Sequence, residues 1–153
     1  MEEVHEGGCL CGALRYRATG KPFRANGCHC QQCQRLTGSA FLVNVLFLKP
    51  QVSIISGKPK VYDHRGAHGR YLHFHFCKDC STKVGLTLER YPDFFGIFGG
   101  TLDDPKAFPI TRHIFTDNAL PWVTFPLDVD CYSNHAVTED NKPEVPWQRA
   151  SSV

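Results

Sequence analysis

The sequence has few of the features that mark exported, membrane-bound or nucleic-acid-binding proteins. Its first residues, Met-Glu-Glu-Val-His-Glu, are acidic where a secretory signal is basic and then apolar. The longest apolar run, 41–48, is interrupted by Asn44 and is far shorter than the roughly 20 residues of a membrane helix. The 17 Lys and Arg nearly balance the 15 Asp and Glu. We therefore expect a cytoplasmic protein that binds neither nucleic acid nor membranes.

Helical periodicity is also scarce. Only Gln31–Leu36 is typical of a helical turn, which Thr37 and Gly38 end. Short alternating or apolar runs bounded by Gly and Pro are common instead and predict strands. These runs are 13–18, 41–48, 52–56, 61–64, 71–76, 94–98 and 111–115. The turn residues Gly66 and Gly69 between the fourth and fifth runs predict a hairpin. The pattern predicts a mainly β fold.

The length of 153 residues (17.2 kDa) indicates one domain. The chain becomes polar after about residue 137, with Pro143 and Pro146 and with Trp147 as its one large apolar residue. We predict a single domain over residues 1–137 and a loosely ordered polar tail over 138–153.

Cysteine is the unusual residue of this composition. Seven of the eight cysteines fall into tight groups, whereas Cys131 stands alone. Neighbours this close form strained disulfides, but the spacing suits thiolates that share one zinc ion. A reducing compartment also favours metal binding over disulfides. The candidate ligands are Cys9 and Cys11, then Cys28, Cys30 and Cys33, then Cys77 and Cys80.

Seven ligands divide naturally into four and three. Spacing alone does not decide which groups share a metal, but one continuous segment already supplies three ligands, and the two remaining pairs would close a four-cysteine site. A closed site is structural, and a three-ligand site leaves a coordination position free for chemistry. Two alternatives remain: purely structural zinc throughout, or redox chemistry at Cys77 and Cys80, although no βαβ pattern surrounds that pair. His29 lies between two ligands, and we expect its ring to point away from the metal and to pack or hydrogen-bond.

The motifs of the chain closely resemble the glutathione-dependent formaldehyde-activating enzyme family, also called the CENP-V/GFA domain family. The resemblance covers about residues 5–125. It departs from the family at Ser81, where a Gly often follows the last cysteine pair. The motifs that carry it are, in order, Gly-Gly-Cys-Leu-Cys-Gly at 7–12, Cys-His-Cys-x-x-Cys at 28–33, Thr-Gly-Ser at 37–39, Phe-Cys-x-x-Cys at 76–80, Gly-Thr-Leu-Asp-Asp-Pro at 100–105, His-Ile at 113–114 and Pro-Trp at 121–122.

This resemblance implies an Mss4-like fold of several coiled antiparallel β-sheets built around zinc sites. It also implies two zinc ions per chain, a catalytic one on Cys28, Cys30 and Cys33, and His113 as a candidate catalytic group near that ion. The implied structural zinc ligands are Cys9, Cys11, Cys77 and Cys80. The implied activity is a carbon–sulfur lyase similar to S-(hydroxymethyl)glutathione synthase, with glutathione as the thiol and formaldehyde as the small aldehyde.

Two functions are consistent with these motifs. The first is a zinc-dependent carbon–sulfur lyase acting on a thiol adduct of a small carbonyl compound. The second is a non-catalytic, zinc-stabilised protein-binding module of the CENP-V type. An exchangeable fourth ligand at Cys28, Cys30 and Cys33 favours the enzyme, and four protein ligands around both metals favour the module.

Overall fold

The structure, a computed structural model, describes residues 2–151. The predicted mainly β fold is confirmed: eleven strands accompany one α-helix in this part of the chain. Of the helices described, none is long and apolar enough to cross a membrane. The strands are β1 (Val4–Gly8), β2 (Arg15–Thr19), β3 (Arg24–Cys28), β4 (Leu42–Leu48), β5 (Val52–Ser56), β6 (Lys60–Arg65), β7 (Tyr71–Phe76), β8 (Lys83–Leu88), β9 (Tyr91–Phe98), β10 (Arg112–Ile114) and β11 (Asp130–Cys131), and the helix is α1 (Gln31–Thr37).

The chain forms two compact units. The first holds the described residues up to Arg24 together with Asn44–Phe108. Within it, β1, β2 and β5 form an antiparallel three-stranded sheet. A second antiparallel ladder runs β4, β9, β8, β7 and β6, so that consecutive strands are joined by hairpins from β6 to β9.

Large side chains that are almost fully buried fill the core of the first unit. Tyr16 from β2, Phe47 from β4 and Ile97 from β9 are each at most 1% exposed. Tyr16 and Phe47 alternate with more exposed neighbours, as residues of half-buried antiparallel strands do, whereas Ile97 lies in a run of three buried residues. Aromatic and branched side chains therefore form the core of the first unit.

The second unit holds Ala25–Val43 and the described residues from Pro109 onward. Its ladder is parallel: β10 pairs with β3 on one side and with β11 on the other. These parallel pairs are an addition to the antiparallel sheets that the family resemblance implies. The helix α1 follows β3 after a two-residue connection, and Gly38 ends it in the left-handed conformation.

The polar segment after residue 137 makes hydrogen bonds to the rest of the second unit. The Trp147 amide donates to the Cys131 carbonyl at 2.9 Å, and its indole donates to the Thr116 hydroxyl at 2.7 Å. The amide of Glu144 donates to the Ala136 carbonyl at 2.9 Å. The division into a domain of residues 1–137 and a tail of 138–153 stays a prediction, and its last two residues lie outside the described chain.

Most predicted strands occur within one or two residues of their expected ends, and 52–56 and 71–76 agree at both ends. The hairpin predicted between the strands near 61–64 and 71–76 is present, with Gly69 donating its amide to the Gly66 carbonyl. The two-residue strand β11 was not predicted, and neither were the longer strands β1, β3 and β8. Each of these longer strands contains Gly or adjacent polar residues that hide the alternation on which a strand prediction depends.

Candidate metal centres and the adjoining histidine pair

Four cysteine sulfurs meet in the first unit. The Sγ atoms of Cys9, Cys11, Cys77 and Cys80 all lie within 4.8 Å of one another. The Sγ atom of Cys11 is 3.6 Å from that of Cys9 and 3.8 Å from that of Cys77. A tetrahedral zinc ion with Zn–S bonds of 2.3 Å requires sulfur–sulfur separations of about 3.8 Å. These four residues, which we call the quartet, therefore fit a closed zinc site.

Two hairpin turns bring the quartet together. Cys9 and Cys11 lie in the connection between β1 and β2, where the amide of Gly12 donates to the Cys9 carbonyl at 3.1 Å. The Cys-x-Cys pair thus lies in a turn and not on a strand. Cys77 and Cys80 lie in the turn from β7 to β8, where the amide of Ser81 donates to the Cys77 carbonyl at 2.9 Å. Each turn supplies two ligands because a tight turn aims neighbouring side chains at one point.

Polar groups of the first unit favour thiolates in the quartet. The amide of Leu14 donates to the Sγ atom of Cys9 at 3.2 Å, and that of Asp79 donates to Cys77 at 3.4 Å. The Thr82 hydroxyl accepts the amide of Leu10 and therefore offers its own proton to Cys80, 3.2 Å away. The hydroxyl and then the amide of Thr82 lower the pKa of Cys80 to about 5. Donors aimed at sulfur stabilise its charged form, which is the form that binds zinc.

Three cysteine sulfurs meet in the second unit. Cys28 ends β3, Cys30 is the N-cap of α1, and Cys33 lies in the first turn of that helix. Their Sγ atoms lie within 4.8 Å of one another, and no fourth His, Cys, Asp or Glu ligand atom of residues 2–151 joins the group. We call these residues the triplet. Its donor set fits a zinc ion that keeps one coordination position free.

Cys30, the middle cysteine of the triplet, ionises most readily. The neighbouring thiols of Cys28 and Cys33 lower the pKa of Cys30 to about 3, and the amide of Cys33 also donates to its sulfur at 3.3 Å. The same proximity, led by Cys30, raises the pKa of Cys28 to about 12. Three thiolates at this distance repel one another, so that their joint ionisation requires a cation. The triplet is therefore suited to a metal ion by charge as well as by geometry.

Two buried histidines adjoin the triplet. His29, between two triplet cysteines, is fully buried, and its Nε2 atom lies 2.8 Å from Nδ1 of His113. His113 is also buried, and it faces Gly27 across the parallel pair of β10 and β3. A Cβ atom at Gly27 would overlap Nδ1 of His113, so glycine is required where the ring crosses β3. The sequence predicted that the ring of His29 packs or hydrogen-bonds, and here it does both.

Aromatic rings surround the histidine pair and keep it neutral. The ring centroid of His29 lies 4.7 Å from Phe41 and 5.4 Å from Phe125, and His113 contacts the same two rings. Burial, and after it the positive charge that His113 carries when protonated, lowers the pKa of His29 to about 4. Burial also lowers the pKa of His113. Neither ring is a cation near neutral pH.

A cavity of about 380 Å³ opens beside the histidine pair. His113 and Phe41 form part of its wall, and the remainder is largely apolar. The pairing of His113 with Cys131 in β11 places that cysteine nearby, but Cys131 belongs to neither cluster. Burial raises the pKa of the Cys131 thiol to about 11, so it stays protonated. Neither Phe41 nor Phe125 was predicted, because a lone aromatic residue in a short strand or loop carries no signal of its distant partner.

The fold and the two cysteine clusters define a mainly β protein suited to one closed and one open zinc–thiolate site. The chain belongs to the glutathione-dependent formaldehyde-activating enzyme family, whose model matches residues 4–118. That match contains every residue of the quartet and the triplet as well as His113. The expected family and fold class are thus confirmed.

Individual relatives agree with this assignment. The chain is 26% identical over 126 residues to a protein of Halomonas elongata whose name marks it as a candidate glutathione-dependent formaldehyde-activating enzyme, covering 77% of this chain and 78% of the relative. It is 31% identical over 80 residues to an uncharacterized lyase of Schizosaccharomyces pombe, covering 52% of this chain and 55% of that protein. A crystal structure of a Rhodobacter sphaeroides protein shares the fold, with a TM-score of 0.52 and 18% identity over 65% of this chain and 88% of that one.

Proposed function

We propose that this protein is a zinc-dependent carbon–sulfur lyase that makes and breaks the adduct of a small thiol with a small aldehyde. The observation that carries the proposal is the triplet, whose three thiols form a group without a fourth protein ligand among residues 2–151. Glutathione and formaldehyde are the thiol and aldehyde that the family name indicates. The cytoplasmic location stays a prediction from the sequence.

The cysteines of the two clusters have different tasks in this proposal. Cys9, Cys11, Cys77 and Cys80 hold one zinc ion that stabilises the fold, and Cys28, Cys30 and Cys33 hold a second. When bound to the triplet, zinc lowers the pKa of a nearby thiol, so that thiolate is available near neutral pH. Three thiolates leave a zinc site electron-rich, which suits thiol chemistry better than the activation of water.

The second unit supplies the surroundings for the reaction. The substrate sulfur attacks the aldehyde carbon, the carbonyl π electrons move to oxygen, and the proton released by the thiol ends on that oxygen. His113 is our candidate for the group that contacts this oxygen, because it lines the cavity and is linked to the triplet through His29. The buried rings around it exclude water, which strengthens any hydrogen bond made there.

Exchange of labelled formaldehyde between its free form and its adduct with glutathione tests the proposal. Two-dimensional exchange NMR with ¹³C-formaldehyde measures interconversion against the uncatalysed background. We expect the zinc-loaded protein to accelerate exchange and Cys30→Ser to abolish the acceleration while keeping one zinc ion. Cys131→Ala is the matched control, because this cysteine lies outside both clusters.

Two outcomes of this experiment would contradict the enzyme. One is an exchange rate no faster than the uncatalysed background when the protein carries two zinc ions. The other is an unchanged rate in Cys30→Ser. Background exchange together with a fourth protein ligand at the triplet would favour the protein-binding module.

A further inference from the structure

The cavity beside His113 has the size and lining of a small-molecule site. Its volume of about 380 Å³ falls within the roughly 300–1,000 Å³ typical of such sites. Phe41, Ile110, Val123 and Val129 supply apolar walls. Formaldehyde has only two heavy atoms and needs little more than the roughly 30 Å³ share of one water molecule. The cavity is therefore much larger than formaldehyde requires.

The charges around the cavity decide which reactant it suits. No Lys or Arg of residues 2–151 lines it, and its one charged wall residue is Asp128. Glutathione carries two carboxylates, which in proteins are held by cationic side chains or clusters of amide donors. A carboxylate near Asp128 would be repelled. The cavity is consequently suited to the uncharged reactant, which is the carbonyl compound.

The histidine pair provides one directed hydrogen-bond donor for this reactant. Nδ1 of His29 is buried and has no hydrogen-bond partner, and a buried donor without a partner is costlier than a bare lone pair in the same place. His29 therefore carries its proton on Nε2 and donates it to Nδ1 of His113. With Nδ1 occupied as an acceptor, the neutral ring of His113 carries its own proton on Nε2. Because His113 lines the cavity, this N–H is the group it can offer there.

From these observations we propose that the carbonyl substrate is an uncharged aldehyde with an apolar body larger than formaldehyde. Its body lies in the cavity, and its carbonyl oxygen accepts a hydrogen bond from Nε2 of His113. His29 is a positioning residue that sets which nitrogen of His113 is protonated. The inference deepens the proposed function and rests on it.

The reaction is an addition in which every atom is retained. The carbon–sulfur bond forms, the carbonyl π bond breaks toward oxygen, and the thiol proton becomes the hydroxyl proton of the adduct. His113 keeps its proton throughout and stabilises the charge that develops on oxygen. The reverse reaction returns the aldehyde and the thiol.

A homologous series of aldehydes tests the substrate class. The zinc-loaded protein is assayed by exchange NMR with one fixed thiol and with formaldehyde, ethanal, propanal, butanal and pentanal. Each methylene that enters an apolar site raises kcat/KM by roughly fourfold until the cavity is full. An acceleration over the uncatalysed rate that is highest for formaldehyde and falls along the series would overturn the inference and leave the proposed lyase intact. Background exchange for every aldehyde would overturn both.

A filling variant ties the gain to this cavity. Val123→Phe places a larger side chain in the apolar wall. It should reduce the increase in kcat/KM per methylene from roughly fourfold to about onefold, which is no increase. Leu127→Phe is the matched control, because Leu127 is exposed and does not line the cavity. An unchanged gain in Val123→Phe, with the melting temperature of the control, would contradict the assignment of the cavity.

The role of the histidine pair has a readout that is independent of activity. In protein labelled with ¹⁵N-histidine, Nε2 of His113 should carry the proton and Nδ1 should show the chemical shift of an acceptor. His29→Phe should remove this preference while leaving the zinc content unchanged. His113→Gln keeps an N–H near the same place and should retain more kcat than His113→Phe. A proton on Nδ1 of His113 in the native protein would overturn this part of the proposal.

Discussion

The quartet and the triplet use the same ligand type and differ in how much of the chain each one joins. The quartet links two hairpin turns, and the contact between Cys11 and Cys77 spans 66 residues. The triplet lies within one strand end and one helical turn. Closing a loop of the longer span has an entropic cost about 2 kcal/mol greater than closing the shorter one. A metal in the quartet therefore organises the fold, and one in the triplet mainly organises its own segment.

Their surroundings differ in a second way. Cys11 of the quartet is exposed to solvent. Within the triplet segment, the buried His29 contacts Phe41 and His113, and His113 lines a cavity. Four ligands far apart in sequence suit a structural task, whereas three local ligands beside a cavity suit chemistry. The following experiments test this contrast in order of decreasing effect.

Removing one ligand from each cluster should have the largest and most unequal effect. Structural zinc sites bind with apparent free energies of about 10–16 kcal/mol, comparable to the whole stability of a domain. Cys80→Ser should therefore lose the quartet metal and be largely unfolded or insoluble at 25 °C. Cys30→Ser should stay folded with one zinc ion. Thermal melting and metal analysis on matched samples measure both, and a collapsed Cys30→Ser beside a folded Cys80→Ser would reverse the assignment of the two sites.

Graded chelation should separate the two metals in the native protein. A three-thiolate site holds zinc with one protein ligand fewer, so we expect a first zinc ion to leave at a chelator concentration that the second survives. Release is followed with a colorimetric zinc indicator, and Cys30→Ser identifies the resistant ion as that of the quartet. Simultaneous loss of both ions would show that the clusters do not differ in this respect.

The Tyr16 hydroxyl should affect the region of the quartet alone. Tyr16 follows the Cys9–Cys11 turn and lies 2.8 Å from the Thr101 hydroxyl, which donates its own proton to the Phe98 carbonyl. Tyr16 is therefore the donor, and Tyr16→Phe should lower the free energy of unfolding by about 1 kcal/mol. It should also lower the chelator concentration that empties the quartet but not the one that empties the triplet. Tyr62→Phe, at an exposed position, is the control.

The same residue predicts a pH dependence. Burial raises the pKa of Tyr16 to about 12, above its ordinary value of 10. The unfolded chain thus loses this proton more readily, so the stabilisation is complete below pH 10 and is lost as the pH rises from 10 to 12. Between pH 10 and 12 the free energy of unfolding of the wild-type protein should fall by about 3 kcal/mol from this residue, and this fall should be absent from Tyr16→Phe. Denaturant titrations between pH 8 and 12 measure the difference, and parallel curves would contradict it.

Two turn positions should give the smallest effects, of opposite sign. Ser81 follows the last quartet cysteine with a φ of 64°, and Gly38 ends the helix of the triplet with a φ of 66°. This left-handed region favours glycine. Ser81→Gly should raise the free energy of unfolding by up to about 1 kcal/mol, and Gly38→Ala should lower it by about 1 kcal/mol, although a Cβ at Gly38 meets no neighbour. Denaturant midpoints measure both changes, and a shared sign would contradict the backbone argument.

Local patterns in the sequence were sufficient for much of the fold. The strands 52–56 and 71–76 and the hairpin turn at Gly66 and Gly69 were predictable because alternation and turn residues lie together in the chain. The strand β3 (Arg24–Cys28) was not predicted, although it positions Cys28. Its Ala-Asn-Gly segment is poor in β-forming residues, and it is held by its parallel pairing with β10, about 86 residues away.

By itself the sequence indicated seven candidate metal-binding cysteines and the mainly β class, because each depends on residue type and short spacing, and the structure brings these cysteines together as a group of four and a group of three. Only the tertiary structure decided that His29 meets His113, that Phe41 and Phe125 enclose them, and that a cavity opens beside the pair. The histidine contact joins residues 84 positions apart through a parallel strand pairing and through Gly27, whose lack of a side chain lets the ring of His113 cross β3. Short cysteine spacings identify candidate metal ligands in the sequence, but the site that receives a substrate depends on which distant side chains the sheet brings together.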